Sequence, residues 1–526
     1  MFIKENCEKQ SLDARKKILL SSFGRWPFLL QSSYIIHIMN SDKEIRMNKK
    51  YDVLIIGAGV IGTMVARELS KYQLDVVILD KNNDAGDGTS SANSAIIHSG
   101  YDPEPGSLKA KFNVLGNAKY PKLVEELDVP FIQCGSLTIT LEDEQIPVLK
   151  ELAERAKING VEVKLLNKEE TLKMEPNINP EVKGSLFAPT AGIIDPFNLV
   201  VHAMENAIDN GVTFLRNQEV LDIKKENNLY IVKTNKEELL ADIVINAAGV
   251  KSDKIASMIE DIDWAITPRK GEYYLLDHYA YGLVNHTIFP LPSKKGKGVL
   301  VSQTTSGNYI VGPSSEYADA DDVSTDAPTL NNIRKAANLM VPSIPFNQTI
   351  RVFAGERATC TRHDFIVESA KSDQHFINIA GIESPGFVSA PAIAEYVVET
   401  LIRPLITLKS NPKYNPCVKK YHRMFYLSEE EKLQTIKENP NYGEIICNCE
   451  HISLGEIEDA LSRSCPPVSI KGVKRRTRAG YGKCQGGFCQ PKVLLLLAKH
   501  YGVSPTQIPL AEDGSYIIDH EIKEAK

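Results

Sequence analysis

Four cysteines in the last hundred residues are spaced as ligands of a metal centre. Cys447 and Cys449 form a CxC pair, and Cys484 and Cys489 form a CxxxxC pair after a stretch of helical spacing. Four thiolates are the usual ligand set of a [2Fe–2S] cluster, and they also suit a tetrahedral structural zinc site. The spacing therefore predicts a metal centre and leaves iron–sulfur and zinc open. The glycines that would let backbone amides approach the sulfurs are Gly482, Gly486 and Gly487.

A glycine-rich turn near the other end of the chain could hold a dinucleotide. Residues 51–81 have the pattern of strand, tight turn, helix and strand, with the spacing GxGxxG in the turn. The free amides at the start of such a helix bind a pyrophosphate, and Asp80, after the second strand, would accept hydrogen bonds from a ribose. The residues predicted to contact the dinucleotide are Gly57, Ala58, Gly59, Val60, Ile61, Gly62, Asp80 and Lys81.

A third candidate is the loop at residues 88–109, which is rich in small polar residues and contains His98. Its hydroxyl and amide groups suit a loop wrapped on a polar cofactor. A histidine titrates close to neutral pH and can accept a proton from a substrate, although a lone histidine is often purely structural. The other residues of this loop predicted to contact the cofactor are Thr89, Ser90, Asn93 and Ser94.

The composition of the chain limits the classes of protein to which these motifs can belong. The chain has 526 residues, 43% of them hydrophobic and 24% charged, which is enough for several packed domains. A net charge of −6 gives no reason to propose a nucleic-acid partner, and no apolar run reaches membrane-spanning length. The cysteines outside the C-terminal set are scattered, which indicates a reducing compartment and a cytoplasmic location. Residues 1–48 are interpreted as a poorly ordered extension, either from an upstream start or, less favoured, a targeting segment.

Three segments together resemble the D-amino-acid-oxidase-like FAD oxidoreductases, in the branch that oxidises glycerol 3-phosphate and 2-hydroxy acids. They are the His98 loop, the stretch FAGERATCTRHDFI at residues 353–366 and the stretch INIAGIESPGFVSAPA at residues 377–392. The stretch ADIVINAAG at residues 241–249 is similar to the family's second dinucleotide signature. The resemblance implies FAD as the cofactor, and nothing after the glycine turn suggests a second nucleotide fold.

The resemblance also implies roles for individual residues. His98 would lie beside the isoalloxazine and take the hydroxyl proton, and Arg357 would bind the substrate anion, with Lys270 as a second anchor. Glu356, next to Arg357, is a departure from what an anion site would favour. The further implied FAD contacts are Val220, Ala248, Gly249, Ser384, Pro385, Gly386, Phe387 and Val388.

The four-cysteine segment resembles the bacterioferritin-associated-ferredoxin-like [2Fe–2S] domain that is appended to anaerobic glycerol-3-phosphate dehydrogenases. A basic run precedes its last two ligands, and we interpret it as a solvated face that could also raise the cluster's potential or dock an acidic electron carrier. Its members are Lys471, Lys474, Arg475, Arg476, Arg478 and Lys483.

The predicted fold is α/β. A Rossmann-type FAD-binding domain is interleaved with an antiparallel-sheet α+β substrate domain, and a small helical iron–sulfur domain follows. The oxidoreductase unit is expected at residues 49–402, with FAD-binding parts near 49–130, 190–262 and 350–402 and substrate-domain parts near 131–189 and 263–349. A linker at 403–441, the [2Fe–2S] domain at 442–500 and a tail at 501–526 complete the chain.

The predicted function is oxidation of glycerol 3-phosphate to dihydroxyacetone phosphate by hydride transfer to FAD, with electrons relayed through a [2Fe–2S] cluster. The acceptor would be a quinone-linked subunit, a ferredoxin-like protein or a flavin protein, and a partner could hold the chain at the inner membrane face in a hetero-oligomer. Two alternatives remain open at this point. One is a dehydrogenase of 2-hydroxy acids or amino acids, and the other is a non-catalytic electron-transfer subunit that binds both cofactors.

Overall fold

The computed structural model describes residues 49–280, 282–292 and 298–520. The predicted extension at residues 1–48 therefore lies outside the described residues. Within the described part of the chain, no helix is both long and apolar enough to cross a membrane.

The strands, in chain order, are β1 Lys50–Ile56, β2 Val76–Leu79, β3 Ile96–Ile97, β4 Phe131–Ile132, β5 Ser136–Thr140, β6 Lys164–Asn167, β7 Gly184–Ala188, β8 Gly192–Ile194, β9 Thr213–Leu215, β10 Val220–Glu226, β11 Leu229–Thr234, β12 Glu238–Asn246, β13 Ile266–Leu276, β14 Thr287–Pro290, β15 Leu300–Gln303, β16 Tyr309–Gly312, β17 Glu316–Tyr317, β18 Thr349–Cys360, β19 Ile366–Ser369, β20 Phe376–Ala380, β21 Ile445–Cys447 and β22 Ile452–Ser453.

The α-helices are α1 Val60–Leu69, α2 Leu108–Asn117, α3 Tyr120–Glu126, α4 Ile146–Ile158, α5 Lys168–Met174, α6 Pro196–Asp209, α7 Ser252–Ala256, α8 Ala327–Met340, α9 Gly386–Tyr396, α10 Glu429–Glu438, α11 Leu454–Leu461, α12 Ile470–Thr477 and α13 Gln490–Tyr501. A π-helical stretch, Val397–Ile402, continues α9.

The first sheet is the dinucleotide-binding sheet that the glycine motif predicts. Its parallel part runs β20, β12, β1, β2 and β9, with the antiparallel hairpin of β10 and β11 on the edge of β12. β1 is central and its β-branched residues Val53, Ile55 and Ile56 are buried, as expected for a strand covered on both faces. The glycine turn after β1 and the start of α1 therefore lie at the carboxyl edge of this sheet, where ligands bind in such folds.

The second sheet forms the substrate side of the oxidoreductase. It runs β17, β13, β16, β15, β14, β5, β7 and β6, and β18 pairs with the other edge of β13. All of these pairings are antiparallel except that of β14 with β5, which is parallel, so the predicted antiparallel sheet is mixed at one position. The long pair of β13 and β18 carries the predicted anion-binding residues and crosses over the His98 loop, because Gly355 lies against Ala92.

The four-cysteine segment folds as a small helical unit, as predicted. The hairpin of β21 and β22 and the helices α11, α12 and α13 pack around a core that includes Ile457, Val473 and Leu497. Ser453 caps α11 and forms a reciprocal pair of hydrogen bonds with Glu456, which explains why the helix begins there. This unit packs against the first sheet's domain through α12.

Much of the basic run does not lie on a free solvated face. Arg476 is buried and forms two hydrogen bonds with Asp84, with Nη1–Oδ2 2.7 Å and Nη2–Oδ1 2.8 Å, and Arg475 and Lys471 both bind Asp87. Burial would raise the pKa of Asp84, but the guanidinium of Arg476 holds it at about 2. The solvated-face interpretation is therefore wrong for Arg475 and Arg476, which are buried, while Lys471 is partly exposed. The partners of all three come from a loop of the FAD-binding domain that sequence reasoning did not connect to them.

The segment at residues 403–441 also binds that domain closely. The Tyr421 ring stacks on His202 of α6 with ring centres 4.6 Å apart, and its hydroxyl donates to Glu205, 3.0 Å away. Arg463, from the iron–sulfur unit, forms a buried ion pair with the same Glu205, with Nε–Oε2 2.9 Å. The two units are thus joined through at least two buried arginine–carboxylate pairs.

Candidate functional site

One cavity of about 1660 Å³ connects the carboxyl edge of the first sheet with the iron–sulfur unit. Its walls include the glycine turn, the His98 loop, the face of the β13–β18 pair and the start of α9. The far wall includes Gly480, Tyr481 and Cys489. Residues from all three predicted functional regions therefore face a single space.

The glycine turn has no room for side chains. Gly57 has φ +102°, and a Cβ there would lie 2.5 Å from the carbonyl oxygen of Ala247. A Cβ on Gly62 would lie 1.9 Å from the carbonyl oxygen of Gly57, so α1 packs directly on the turn. Gly59, the N-cap residue of α1, has no side chain to cover the helix N-terminus. This is a cradle that brings backbone amides to a phosphate, which is what FAD requires of a Rossmann turn.

Asp80 lies where a ribose-binding acid is expected. Its Oδ2 accepts from the amide of Ala58 at 2.7 Å and its Oδ1 accepts from the amide of Asn82 at 2.9 Å, which fixes the carboxylate at the cavity wall. Burial raises the pKa of Asp80 to about 6. Each carboxylate oxygen can accept a second hydrogen bond, so the two amides leave acceptor capacity for ribose hydroxyls.

Most of the predicted cofactor contacts line the cavity. These are Gly57, Gly59, Val60, Ile61, Asp80, Lys81, Thr89, Ser90, Asn93, Ser94, Val220, Ala248, Gly249, Ser384, Pro385, Gly386 and Phe387. Ala58, Gly62 and Val388 are not among the lining residues. Ala58 contributes its amide to Asp80, and Gly62 packs on Gly57. The carbonyl oxygen of Val388 faces α2, where a Cβ on Gly116 would lie 1.9 Å from it.

His98 follows β3 and lines the cavity. Its backbone carbonyl accepts two side-chain hydrogen bonds, from Asn113 Nδ2 at 2.7 Å and from Asn117 Nδ2 at 3.1 Å. Its ring lies against Phe289, with ring centroids 5.8 Å apart. The side-chain amides of Asn113 and Asn117 on α2 and the ring of Phe289 therefore hold His98 at the cavity wall.

Arg357 lines the same cavity from β18. Its Nη2 donates to the carbonyl of Ser314 at 3.2 Å and lies over Gly271, where a Cβ would be only 2.7 Å away. Gly271 therefore provides the space that the guanidinium occupies. Glu356 also borders this cavity, but neighbours in a strand point to opposite faces, and its carboxylate accepts from the amide of Asp321 at 2.7 Å.

Lys270 does not line the cavity. In the antiparallel register it pairs with Glu356, and Arg269 pairs with Arg357, so Lys270 is on the face opposite Arg357. Its Nζ donates to Asp322 Oδ2 at 2.9 Å, and this hydrogen bond raises the pKa of the ammonium. The geometry does not support Lys270 as a second substrate anchor, because it lies outside the cavity lining and its ammonium already pairs with the partly exposed carboxylate of Asp322.

The four predicted metal ligands come together as two pairs. The thiol of Cys489 hydrogen-bonds to Cys447, and the thiol of Cys449 hydrogen-bonds to Cys484. The bond from Cys489 lowers the pKa of Cys447, and backbone amides of Gly480 and Gly486 also reach the sulfurs. Within the described ranges, no three His, Cys, Asp or Glu side chains converge on one metal ion. Four thiols brought together in this way suit the ligand set of a [2Fe–2S] cluster and that of a structural zinc.

Sequence reasoning missed several residues between the two cofactor regions. Tyr273 shares a hydrogen bond with Ser94, with Oη–Oγ 3.1 Å, and stacks on Phe353. Lys474 and Arg478 both lie over the Tyr481 ring, at 4.5 and 5.0 Å from its centroid, on the wall that includes Cys489. Burial lowers the pKa of Lys474 to about 8, helped by the charges of Arg351 and Arg478. The sequence signal for this part of the cavity wall is the basic run with an aromatic residue, Tyr481, beside it.

Comparisons with known proteins agree with this geometry. A family model described as FAD dependent oxidoreductase matches residues 52–400, and one described as BFD-like [2Fe-2S] binding domain matches residues 445–499. A glycerol 3-phosphate dehydrogenase of Caloramator mitchellensis is 45% identical over 470 residues, covering 89% of this chain and 98% of the relative. A glycerol 3-phosphate oxidase of Mycoplasma genitalium is 35% identical, covering 69% of this chain and 98% of the relative.

A solved structure is also similar. It is a dithionite-reduced L-alpha-glycerophosphate oxidase of Mycoplasma pneumoniae with FAD bound, 32% identical with a TM-score of 0.68, covering 70% of this chain and 99% of that one. The cradle at the glycine turn and the paired thiols fit the groups that the two family models name. This chain therefore belongs to the FAD-dependent oxidoreductases and carries a BFD-like domain, with FAD and a [2Fe–2S] cluster as its cofactors.

Proposed function

We propose that this protein is a dehydrogenase that oxidises glycerol 3-phosphate to dihydroxyacetone phosphate. The observation that carries the proposal is that His98, Arg357 and the dinucleotide cradle face one cavity. A base, an anion-binding fork and a redox cofactor are the groups that oxidation of a small anionic alcohol needs. The relative that covers most of this chain is named a glycerol 3-phosphate dehydrogenase, which supports this substrate over other anionic alcohols.

The two cofactors supply the redox chemistry. When bound, FAD takes up a hydride from an alcohol carbon and a [2Fe–2S] cluster carries electrons singly. The glycine turn, Asp80 and the start of α9 would hold FAD, and Cys447, Cys449, Cys484 and Cys489 would hold the cluster. The protein's own groups then have to bind the substrate, orient it and take one proton.

His98 is the group proposed to take that proton. Oxidation removes a hydride from the secondary carbon of glycerol 3-phosphate and a proton from its hydroxyl, which leaves the ketone of dihydroxyacetone phosphate. A neutral imidazole can accept this proton near neutral pH. The hydrogen bonds from Asn113 and Asn117 to the His98 carbonyl fix the backbone, so the ring approaches the substrate from one defined direction.

Arg357 is proposed to bind the phosphate. A planar guanidinium presents paired donors that match phosphate oxygens, and it keeps its charge at every working pH. Among the described residues, its guanidinium donates to a backbone carbonyl, that of Ser314, so no carboxylate neutralises it through that contact. Gly271 has no side chain, and the guanidinium of Arg357 lies in the space that a side chain there would fill.

The electron acceptor and the location belong to the same proposal. The cluster beside the cavity supports a dehydrogenase that passes electrons to a protein or to a quinone-linked subunit, which would also account for any attachment to the inner membrane face. None of the eight described cysteines is in a disulfide, which supports a reducing, cytoplasmic compartment.

A substrate panel tests this proposal. Purified holoenzyme would be assayed with glycerol 3-phosphate, 2-hydroxyglutarate and small amino acids, using phenazine methosulfate as the acceptor. We expect turnover with glycerol 3-phosphate and kcat/KM at least tenfold lower with the others. Arg357→Met should lower kcat/KM for glycerol 3-phosphate by roughly 10- to 150-fold, the loss of one charged hydrogen-bond partner. Faster turnover of 2-hydroxyglutarate, or no turnover of any compound, would reject the proposed substrate or the catalytic role.

A further inference from the structure

The C-terminal part of the iron–sulfur unit and the residues after it carry charge of one sign. Residues 460–511 contain nine Lys and Arg residues and no Asp or Glu. Five of the nine bind acids elsewhere in the chain: Arg463 with Glu205, Lys471 and Arg475 with Asp87, Arg476 with Asp84, and Arg478 with Glu450. Lys474 faces the cavity and lies over the Tyr481 ring. The remaining cations are Lys483, Lys492 and Lys499.

These three lysines are exposed, and among the described residues they have no acidic partner. Lys483 is the residue before the ligand Cys484. Lys492 and Lys499 lie on α13, the helix that begins directly after the ligand Cys489. The surface beside the thiols therefore carries positive charge that the rest of the described chain does not neutralise.

Two large apolar side chains lie among these lysines. Phe488, between the ligands Cys484 and Cys489, is 80% exposed, and Leu495 on α13 is 58% exposed. Lys492, Leu495 and Lys499 are spaced three and four residues apart, which places them on one side of α13, and Phe488 lies in the turn directly before the helix. We call Phe488, Lys492, Leu495 and Lys499 the α13 stripe.

We propose that the α13 stripe is the docking surface for an acidic single-electron carrier protein. An exposed phenylalanine and leucine between unpaired lysines give an apolar centre with a basic rim, and such a rim steers and selects a partner of negative charge. Because Phe488 separates two of the cluster's ligands, a protein bound there approaches the cluster closely. This inference rests on the proposed function, and it names the partner of that reaction.

The electron count sets the stoichiometry. Oxidation of one glycerol 3-phosphate releases two electrons and two protons, so two carrier molecules are each reduced by one electron in every turnover. Because two carriers must bind and leave in every turnover, a small, salt-sensitive interface suits this exchange. Such interfaces are at the low end of buried area, below about 1,200 Å² in total.

Binding of a defined probe tests the docking surface. The full-length holoenzyme would be titrated calorimetrically with an acidic flavodoxin at low and at physiological salt. We expect binding that weakens as salt rises, because exposed charges are screened. Lys492→Glu with Lys499→Glu, and separately Leu495→Ser, should each weaken binding at least tenfold. The matched control is Lys157→Glu on α4, an exposed lysine far along the chain from the thiols.

Each outcome of these experiments supports or overturns the proposed docking surface. Absence of binding by the parent protein, or equal weakening by Lys157→Glu, would overturn the docking surface. If phosphatidylglycerol vesicles bind the parent and the α13 substitutions abolish that binding while flavodoxin binding persists, the stripe is a membrane contact instead. Phenazine reduction with glycerol 3-phosphate, measured on every variant, reports the proposed function separately, since the dye does not need the stripe.

Discussion

The two cofactor regions of this protein share one cavity and are built in opposite ways. The flavin region relies mainly on backbone: it has glycines without room for a Cβ, helix-terminal amides, and one side-chain carboxylate that two backbone amides fix. The cluster region is made of side chains: two thiol pairs, a ring carrying two cations, and a surface whose charge comes from lysines. The flavin region depends on glycines that lack side chains, and the cluster region depends on the side chains of cysteine, lysine and tyrosine.

This difference predicts how each region fails. Adding one methyl group should disable the flavin region and leave the thiols intact. Removing one sulfur should disable the cluster region and leave the flavin bound. Substitutions at the seam between the two should affect their docking and neither cofactor directly. The following predictions test that division, from the largest expected effect to the smallest.

Gly62→Ala should abolish FAD binding. Its Cβ would lie 1.9 Å from the carbonyl oxygen of Gly57, closer than non-bonded atoms approach, so the turn or α1 must move. Released flavin, measured by absorbance after heat denaturation, should fall to near zero while acid-labile iron remains. The matched counterpart is Cys484→Ser, for which we expect lost iron and retained flavin. Parallel loss of both cofactors in both variants would contradict the division.

His98→Ala should lower kcat for glycerol 3-phosphate by roughly 10²- to 10⁴-fold, the usual contribution of a general base. FAD content should not change, because the part of His98 that receives hydrogen bonds from Asn113 and Asn117 is its backbone carbonyl, which alanine keeps. Rapid-mixing absorbance would measure flavin reduction directly. A variant that reduces its flavin as fast as the parent would remove His98 from the mechanism.

Arg476→Met should loosen the seam between the two units. Removing one partner of a buried ion pair leaves Asp84 unpaired and costs about 3–5 kcal/mol. In chemical denaturation, the midpoint of the first unfolding transition should move to a lower denaturant concentration. Limited proteolysis should release the iron–sulfur unit sooner than in the parent protein. Lys499→Met is the control, since an exposed, unpaired lysine should change stability by no more than about 0.5 kcal/mol.

The same pair gives a pH dependence. The pKa of Asp84 is lowered to about 2 in the folded protein, from an ordinary value of 3.8, so its stabilising contribution is complete above the ordinary value and is lost as pH falls towards 2. The stability difference between the parent and Arg476→Met should therefore narrow below pH 4. A difference that stays constant down to pH 2 would show that the ion pair does not hold the seam.

Gly271→Ala should have the smallest effect and a specific one. The added Cβ would lie 2.7 Å from Nη2 of Arg357 and displace the guanidinium. We expect KM for glycerol 3-phosphate to rise by about three- to tenfold, with kcat changed less than twofold and FAD content unchanged. A kcat loss without a KM change would place Arg357 outside the substrate-binding contacts.

The glycine turn and the four thiols could be predicted because each needs particular atoms at fixed spacing. Gly57 and Gly62 are required by close backbone approaches, and a β-branched run before them fixes the strand. His98 and Arg357 became candidates through a family resemblance, and the structure brings both to the cavity. The 45% identical relative and the matching family models confirm the predicted enzyme class.

The basic run could not be interpreted from sequence, because charge alone does not say where a partner lies. Arg476 pairs with Asp84 across 392 positions of the chain, and no local pattern encodes that contact. The structure leaves Lys270 outside the cavity lining for a related reason: it pairs with Glu356 and so lies on the other strand face from Arg357, and this register depends on pairing with β18. The zinc alternative could be set aside only with the match to the BFD-like [2Fe-2S] family model.

Anaerobic addition of glycerol 3-phosphate to the purified protein tests the central claim most directly. Absorbance would follow the flavin, and low-temperature electron paramagnetic resonance would follow the cluster. We predict that the flavin bands bleach and a reduced [2Fe–2S] signal appears in the parent protein, and that neither change occurs on the same timescale in His98→Ala. A parent protein that holds both cofactors yet shows no spectral change with glycerol 3-phosphate would contradict the account.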